Sequence, residues 1–297
     1  MDRTAFVSGL TAALLLCGCS NPPAGRAIRV GSKNFTEQVV LGEIIAQHLE
    51  HRLHRPVERR LNLGGTLLAH RALLEREIDL YPEYTGTALA AILKQPSGHR
   101  PETVLERVRA AYRQQFQVDW LDPLGIDNGF AMVVRGTDAR ARHFETLSQA
   151  APAGWHLGVG YEFEQRADGL ASLRDTYHLR LLGPPRSMDL GLLYKAIEQN
   201  QVDMIAANAT DGLLSVMDLK VLEDDRHAFP PYQVCVAVRE DTMHAVPGLR
   251  EAVLELSGRF DNPKMRALNY QVDGQHRPVG EVAAGFLAAV GLLPVSR

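Results

Sequence analysis

The stretch Ile78-Asp79-Leu80-Tyr81-Pro82-Glu83-Tyr84-Thr85-Gly86-Thr87 decides the fold. Its first four residues read as a short strand. Pro82 has no N–H for a ladder and is expected to stop that strand. Gly86 lets the backbone come close to something, and Thr85 or Thr87 can offer a hydroxyl at a helix start. Tyr81 and Tyr84 flank Pro82-Glu83, and each supplies an aromatic face with a polar tip. A strand end that runs into a helix N-terminus is where open α/β sheets hold their ligands. These residues alone leave two readings: one wall of a small-molecule cleft, or a turn that packs its tyrosines on the core.

Outward from that turn, strand and helix alternate. On its N-terminal side, 28–31 reads as a strand, Ser32 to Thr36 as a polar turn with Thr36 at the helix cap, and Val39, Val40, Ile44, Ile45 and Leu49 recur at helical spacing. A strand at 57–61 and a helix from Gly64 to Leu74 follow. On its C-terminal side come a helix at 87–93, a loop at 96–98, an amphipathic helix from Pro101, and strands at 118–121 and 130–134. A second strand-and-helix series begins at 157–160. It holds a helix from Phe163 to about Tyr177, a helix capped by Asp189, a strand at 202–206 and a helix capped by Asp211. Pro230-Pro231 interrupts the series, a strand resumes at 234–238, and three helices close the chain at about 247–257, 262–272 and 279–290. The pattern is α/β with largely parallel sheets, in two similar lobes. Expected boundaries are 28–127 with 233–297 for the first lobe and 128–232 for the second.

Composition narrows the function. The chain has 297 residues, 45% hydrophobic and 23% charged, with a formal net charge of -3. That balance lacks the basic stripe of a nucleic-acid binder. Nothing after the N-terminus is apolar over the ~20 residues that a membrane span needs. The N-terminus is different: Arg3 precedes an apolar run from Ala5 to Leu16, closed by Leu16-Cys17-Gly18-Cys19. This resembles a bacterial lipoprotein signal, 1–19, in which Cys19 carries lipid and 20–27 is a tether. A plain secretory signal is the alternative. Cys235, between Val234 and Val236, reads as a buried, inert thiol.

The polar turns fall at strand ends: 32–36, 84–87, 128–130, 160–166, 208–211 and 230–232. If two lobes face each other, these turns converge on one cleft. Gly31 to Gln38, the opening stretch, Glu162-Phe163 with Arg166 to Gly169, Thr210 to Gly212, Leu222 to Asp225, Phe229 to Tyr232 and Leu268 to Asp273 all match one ordered pattern. Over roughly 27–293 the chain resembles the OpuC/ProX-type substrate-binding proteins of ATP-binding cassette importers for glycine betaine, choline and related compatible solutes. The resemblance implies a type II periplasmic-binding-protein fold joined by two crossings. It implies a monomer outside the cytoplasm that delivers its solute to permease and ATPase subunits, with neither cofactor nor metal. It also implies roles: Tyr84, Phe130, Asn208 and Tyr232 at the positions of an aromatic cage for the quaternary ammonium, and Lys33, Thr87 and Arg166 at the carboxylate.

Those roles are physically apt. A trimethylammonium has no N–H to donate, so ring faces attract it, each worth about 0.5–2 kcal/mol. A carboxylate seeks charge-assisted donors. Two positions depart from the family's tyrosines: Phe130 keeps a ring, and Asn208 replaces a ring with an amide. Either glycine betaine binds modestly, or the ligand is larger, such as a histidine-derived betaine, and uses Asn208. Asn128 stands where relatives can carry an acid. Alternatives stand beside each role: a solvated Lys33, Arg166 paired with Glu162 or Asp168, and Tyr84 and Tyr232 in the core. Tyr81, Tyr161 and Tyr194 are expected to pack. An enzyme is disfavoured by the lack of His-Glu-x-x-His, G-x-S-x-G or Walker motifs and by scattered histidines. A sensor on the same fold, without transport, is the other alternative.

Overall fold

The computed structural model describes residues 27–96 and 100–294. Cys19, the signal 1–19, nearly all of the tether and most of the expected loop at 96–98 lie outside the described residues. Among the described residues the strands are β1 (Ile28–Gly31), β2 (Val57–Arg60), β3 (Leu80–Tyr84), β4 (Val118–Trp120), β5 (Phe130–Arg135), β6 (Leu157–Val159), β7 (Arg186–Ser187), β8 (Met204–Asn208), β9 (Leu219–Val221) and β10 (Val234–Arg239). They make two five-stranded sheets, β2-β1-β3-β10-β4 and β7-β6-β8-β5-β9.

Each sheet is mixed rather than largely parallel. In the first, β2, β1 and β3 run parallel, and β10 lies antiparallel between β3 and β4. In the second, β7, β6 and β8 run parallel, and β5 lies antiparallel between β8 and β9. The registers give the reason. β10 starts with Val234 opposite Tyr84, the last residue of β3, and β5 starts with Phe130 opposite Asn208, the last residue of β8. Both strands follow a crossing from the other sheet. They therefore enter from the edge where the parallel strands end, and must run against them. The crossings touch at an antiparallel bridge between Asp127 and Gln233.

Pro82 does not stop β3. It pairs with Val236, whose carbonyl turns away to accept the N–H of Leu121. The N–H that proline lacks has no acceptor waiting on that side, so the strand continues to Tyr84.

Both faces of each sheet are covered, so the central strands are apolar at successive positions rather than alternating with polar ones. Val234, Val236 and Val238 of β10 join Ile44, Leu49, Val253, Met265 and Phe286 on one face, and Cys235 and Ala237 join Leu89, Val108 and Tyr112 on the other. β5 divides likewise, with Met132 and Val134 to one core and Ala131 and Val133 to another. The C-terminal helices Asn262–Asp273 and Val279–Ala289 thus complete the core of the first sheet. Cys235 is fully buried, and burial pushes its thiol up to about 12, as expected of an inert cysteine.

Three local expectations are corrected. Thr36 does not cap: Phe35 holds the cap position, and the Thr36 hydroxyl donates to Asp273 at 2.6 Å. Asp211 holds a cap position, but its carboxylate turns back to accept the Asn208 N–H at 3.0 Å and the Tyr194 hydroxyl at 2.8 Å. The helix expected at 163–177 is broken. Tyr161–Gln165 ends at Arg166, whose backbone is extended at φ -80 and ψ 142. A π turn, Ala167–Ala171, and the helix Ser172–Tyr177 follow.

Candidate ligand-binding site

The six polar turns do converge. One cavity of about 930 Å³ is lined by Lys33, Tyr84, Thr87, Phe130, Arg166, Asn208 and Tyr232 together. The structure therefore brings all seven sequence-derived site residues to one place.

Lys33 is buried, not solvated. Its Nζ donates to Glu83 Oε1 at 2.6 Å and to Thr66 Oγ1 at 3.0 Å, and it stands 4.9 Å from the centre of the Tyr84 ring. Glu83 is fully buried and also accepts the Tyr84 N–H at 2.7 Å and the Tyr81 hydroxyl at 3.1 Å. Tyr81 packs, as expected. Tyr84 stacks on Phe35 at 6.1 Å and donates its hydroxyl to Glu37 at 2.7 Å. Glu37 takes two further donors, Asn128 Nδ2 at 2.9 Å and the Thr210 hydroxyl. Burial raises the Glu37 carboxyl above the usual carboxylate range, against the pull of those donors.

Arg166 comes from the extended break between two helical pieces. Its Nε and Nη2 grip Asp168 at 2.9 and 2.5 Å, and its Nη1 donates to Thr87 Oγ1 at 3.1 Å and lies 3.6 Å from Glu162. Burial alone would lower this guanidinium; Asp168 outweighs it, and the net shift is upward. The guanidinium stands 5.1 Å from the centre of the Phe130 ring and 5.8 Å from that of Tyr232, so both rings already face a cation. Tyr232 donates its hydroxyl to Asp168 at 2.8 Å. Gly86 is required where it is: a Cβ there would lie 2.6 Å from the Pro231 carbonyl and 2.8 Å from the Tyr232 ring.

Tyr161 departs from the expectation of packing: it is 54% exposed and lines the cavity. Tyr194 packs as expected, buried with Val133, Leu193 and Ile197, and it also lines the cavity, with its hydroxyl on Asp211. Phe35, Glu37, Asn269 and Asp273 line it as well, and sequence reasoning gave none of them a role; Glu162, which it named only as a partner of Arg166, lines it too. Glu37 lay inside the quoted stretch 31–38. An acid in a first helical turn reads as a partner of the helix dipole, so nothing marked it as turned inward.

Glu162 ties the two sheets' halves together. It accepts the Thr66 N–H at 2.5 Å and the Thr66 hydroxyl at 3.0 Å. Burial would raise its carboxyl, but Lys33, the Thr66 donors and Arg166 hold it below the usual range. Among the described residues no group of acids, histidines and cysteines is placed to hold a metal ion, and no helix is long and apolar enough to cross a membrane.

Comparison with known proteins identifies the family. The carnitine transport binding protein OpuCC of Listeria monocytogenes serotype 1/2a is 30% identical over 288 residues, covering 94% of this chain and 92% of that one. The ergothioneine transport permease/ergothioneine binding protein EgtU of Helicobacter pylori is 32% identical over 268 residues, 89% of this chain and 47% of that longer one. A solved glycine betaine/carnitine/choline ABC transporter structure superposes with a TM-score of 0.76 at 27% identity, covering 89% of this chain and 99% of that one. The fold is the two-lobed type II fold of periplasmic binding proteins. The family model described as the substrate binding domain of ABC-type glycine betaine transport system matches residues 26–289. The chain belongs to that family of transporter substrate-binding domains.

Proposed function

We propose that this chain captures a quaternary-ammonium compatible solute, such as glycine betaine, choline or a related betaine, between its two lobes and delivers it to an ABC permease and ATPase. The observation that carries the proposal is that seven residues from six turns line one cavity. The proposed lobes are 28–127 with 233–297, and 128–232, and they close by moving about the paired crossings. Tyr84, Phe130 and Tyr232 offer ring faces to the ammonium, and Asn208 offers an amide beside them. Lys33, Thr87 and Arg166 offer donors to the carboxylate. Outside the cytoplasm, Cys19 would hold the protein to a membrane by its lipid, and the chain would act as a monomer without enzymatic turnover.

Calorimetric titration with glycine betaine, carnitine and choline tests the roles. Lys33→Met weakens the two carboxylates about tenfold more than it weakens choline, which has no carboxylate. Tyr84→Ala weakens all three. Equal losses for choline and the carboxylates on Lys33→Met would refute the assigned roles, and the absence of heat with any of the three would refute the function.

A further inference from the structure

The polar contacts that join the proposed lobes differ in where they stand. Thr87, which accepts from Arg166, follows closely on Thr85. Thr85 exchanges hydrogen bonds with Gln233 of one crossing: its N–H donates to the Gln233 carbonyl at 3.0 Å, and its hydroxyl accepts the Gln233 N–H at 3.1 Å. Thr210, which donates to Glu37, gives its N–H to Asn128 Oδ1 at 3.1 Å beside the other crossing. The helix Asn262–Asp273 joins there too, with Asn269 Nδ2 on the Thr210 carbonyl and Arg266 Nε on the Ala209 carbonyl. All of these sit by the pivot, where a turn of one lobe moves atoms least. Glu162 on Thr66 is different. The Glu162 side chain is 45% exposed and lines the cavity beside exposed Tyr161, so it stands at the rim, where a small turn parts the partners. The sequence is shaped around this rim contact. Thr66 opens the helix Thr66–Leu74, and its N–H donates to Glu162 Oε1 at 2.5 Å, so a carboxylate from the other lobe satisfies a helix-end donor. The Thr66 hydroxyl donates to Oε2 at 3.0 Å. Lys33 fixes the direction of that bond. An ammonium can only donate, Lys33 Nζ lies 3.0 Å from the same Thr66 Oγ1, and the single hydroxyl hydrogen is left for Glu162. Room for the carboxylate exists because residue 65 is glycine. A Cβ there would collide with Glu162 Oε1, and its three nearest neighbours would all be atoms of that side chain. The Gly65 backbone, at φ -78 and ψ -174, is extended and suits any residue, so the carboxylate alone calls for glycine.

We infer that Glu162 on Thr66 is a clasp that holds the cleft shut without solute, and that solute exit waits on its opening. This rests on the proposed lobes and their movement about the crossings, not on which solute is bound. Glu162 is a positioning residue: it sets the opening of the cleft and meets neither the ammonium nor the carboxylate. Through the Thr66 hydroxyl the clasp is bonded to Lys33, one of the residues proposed to hold the carboxylate, so closure and that end of the site share one hydrogen-bonded chain.

Small-angle X-ray scattering of the solute-free protein tests it on the wild type, Gly65→Ala, Glu162→Ala and the double variant. Gly65→Ala adds a methyl that pushes aside the far end of the Glu162 side chain, and Glu162→Ala removes the carboxylate from the opposite lobe. Each single variant is expected to show a larger radius of gyration than the wild type. The double variant is expected to match Glu162→Ala, because its methyl has nothing left to displace. Release of bound glycine betaine, followed by stopped flow, speeds up about tenfold in each single variant, the loss of a charge-assisted hydrogen bond read as a rate. The same radius in all four proteins, or further expansion when Gly65→Ala is added to Glu162→Ala, would overturn the clasp. Either result leaves solute capture standing, because no solute enters the scattering measurement. Larger radii with unchanged release would overturn the claim that exit waits on the clasp. If one variant fails to fold, the other single variant against the wild type decides.

Discussion

Glu83 is what allows Lys33 to be buried. The pair sits 2.6 Å apart with 3% and 0% of the side chains exposed, and removing one partner of such a pair leaves an uncompensated charge. Lys33→Met is therefore expected to lower unfolding stability by about 3 kcal/mol, and Lys33→Met with Glu83→Gln to recover most of it. Chemical denaturation of the two variants checks this; a stable single variant would contradict it. Behind Lys33, His70 lies edge-on against Tyr112 and Phe116. Burial lowers its imidazole from the ordinary 6.5 to about 4, and the Lys33 charge adds to the shift. The unfolded histidine takes its proton near 6.5, and the folded one only near 4. The stability this neutral histidine preserves is thus complete above 6.5 and is lost as pH falls between those values. Denaturation at about pH 7 and about pH 4 should show the wild type losing on the order of 2–3 kcal/mol more than His70→Leu. Parallel losses in the two proteins would refute the linkage.

The broken helix around Arg166 is the element on which the site turns. Gly169 has φ -105 and ψ -118, far from helical, and a Cβ there would meet the Phe163 carbonyl oxygen at 2.2 Å. Gly169→Ala must shift that turn, and with it Arg166, whose carbonyl accepts the Gly169 N–H at 3.1 Å. A stability loss of about 1–3 kcal/mol and weakened solute binding are expected, read by thermal melting and titration. Unchanged binding would separate the turn from the site. This element also marks the limit of sequence reasoning. Apolar periodicity predicts a helix through 163–177, and Gly169 within it looks like a tolerated glycine. The break follows from close approach of two backbones, which no single sequence displays. Most strands and long helices were legible because their apolar residues run in short blocks or recur at helical spacing. β7 and β9 were not, being only two and three residues long. β5 and β10 were legible as strands at 130–134 and 234–238, but their antiparallel direction was not: strand direction depends on which edge a crossing enters, and a sequence shows only that the chain crosses. In the site, ring and basic residues in motifs were legible. The acids were not, because Glu37 and Asp211 each look like ordinary cap or surface carboxylates until tertiary packing turns them inward.

At the scale of the molecule, the halves are held by contacts that surround the cavity: Glu162 on Thr66, Arg166 on Thr87, and Thr210 on Glu37. A solute lodged among them gains from both halves at once, and whatever binds only the folded, closed form stabilises it by mass action. The rings Phe130 and Tyr232 already hold the Arg166 guanidinium near their faces, so under the proposed roles an arriving ammonium must share or displace it. Structure determination of the protein soaked with glycine betaine observes this arrangement directly. The trimethylammonium is expected within about 6 Å of the ring centre of Tyr84, Phe130 or Tyr232, with the carboxylate bonded to Lys33, Thr87 or Arg166. A ligand bound elsewhere, or one whose carboxylate points to Glu37 and Asp211, would contradict the account.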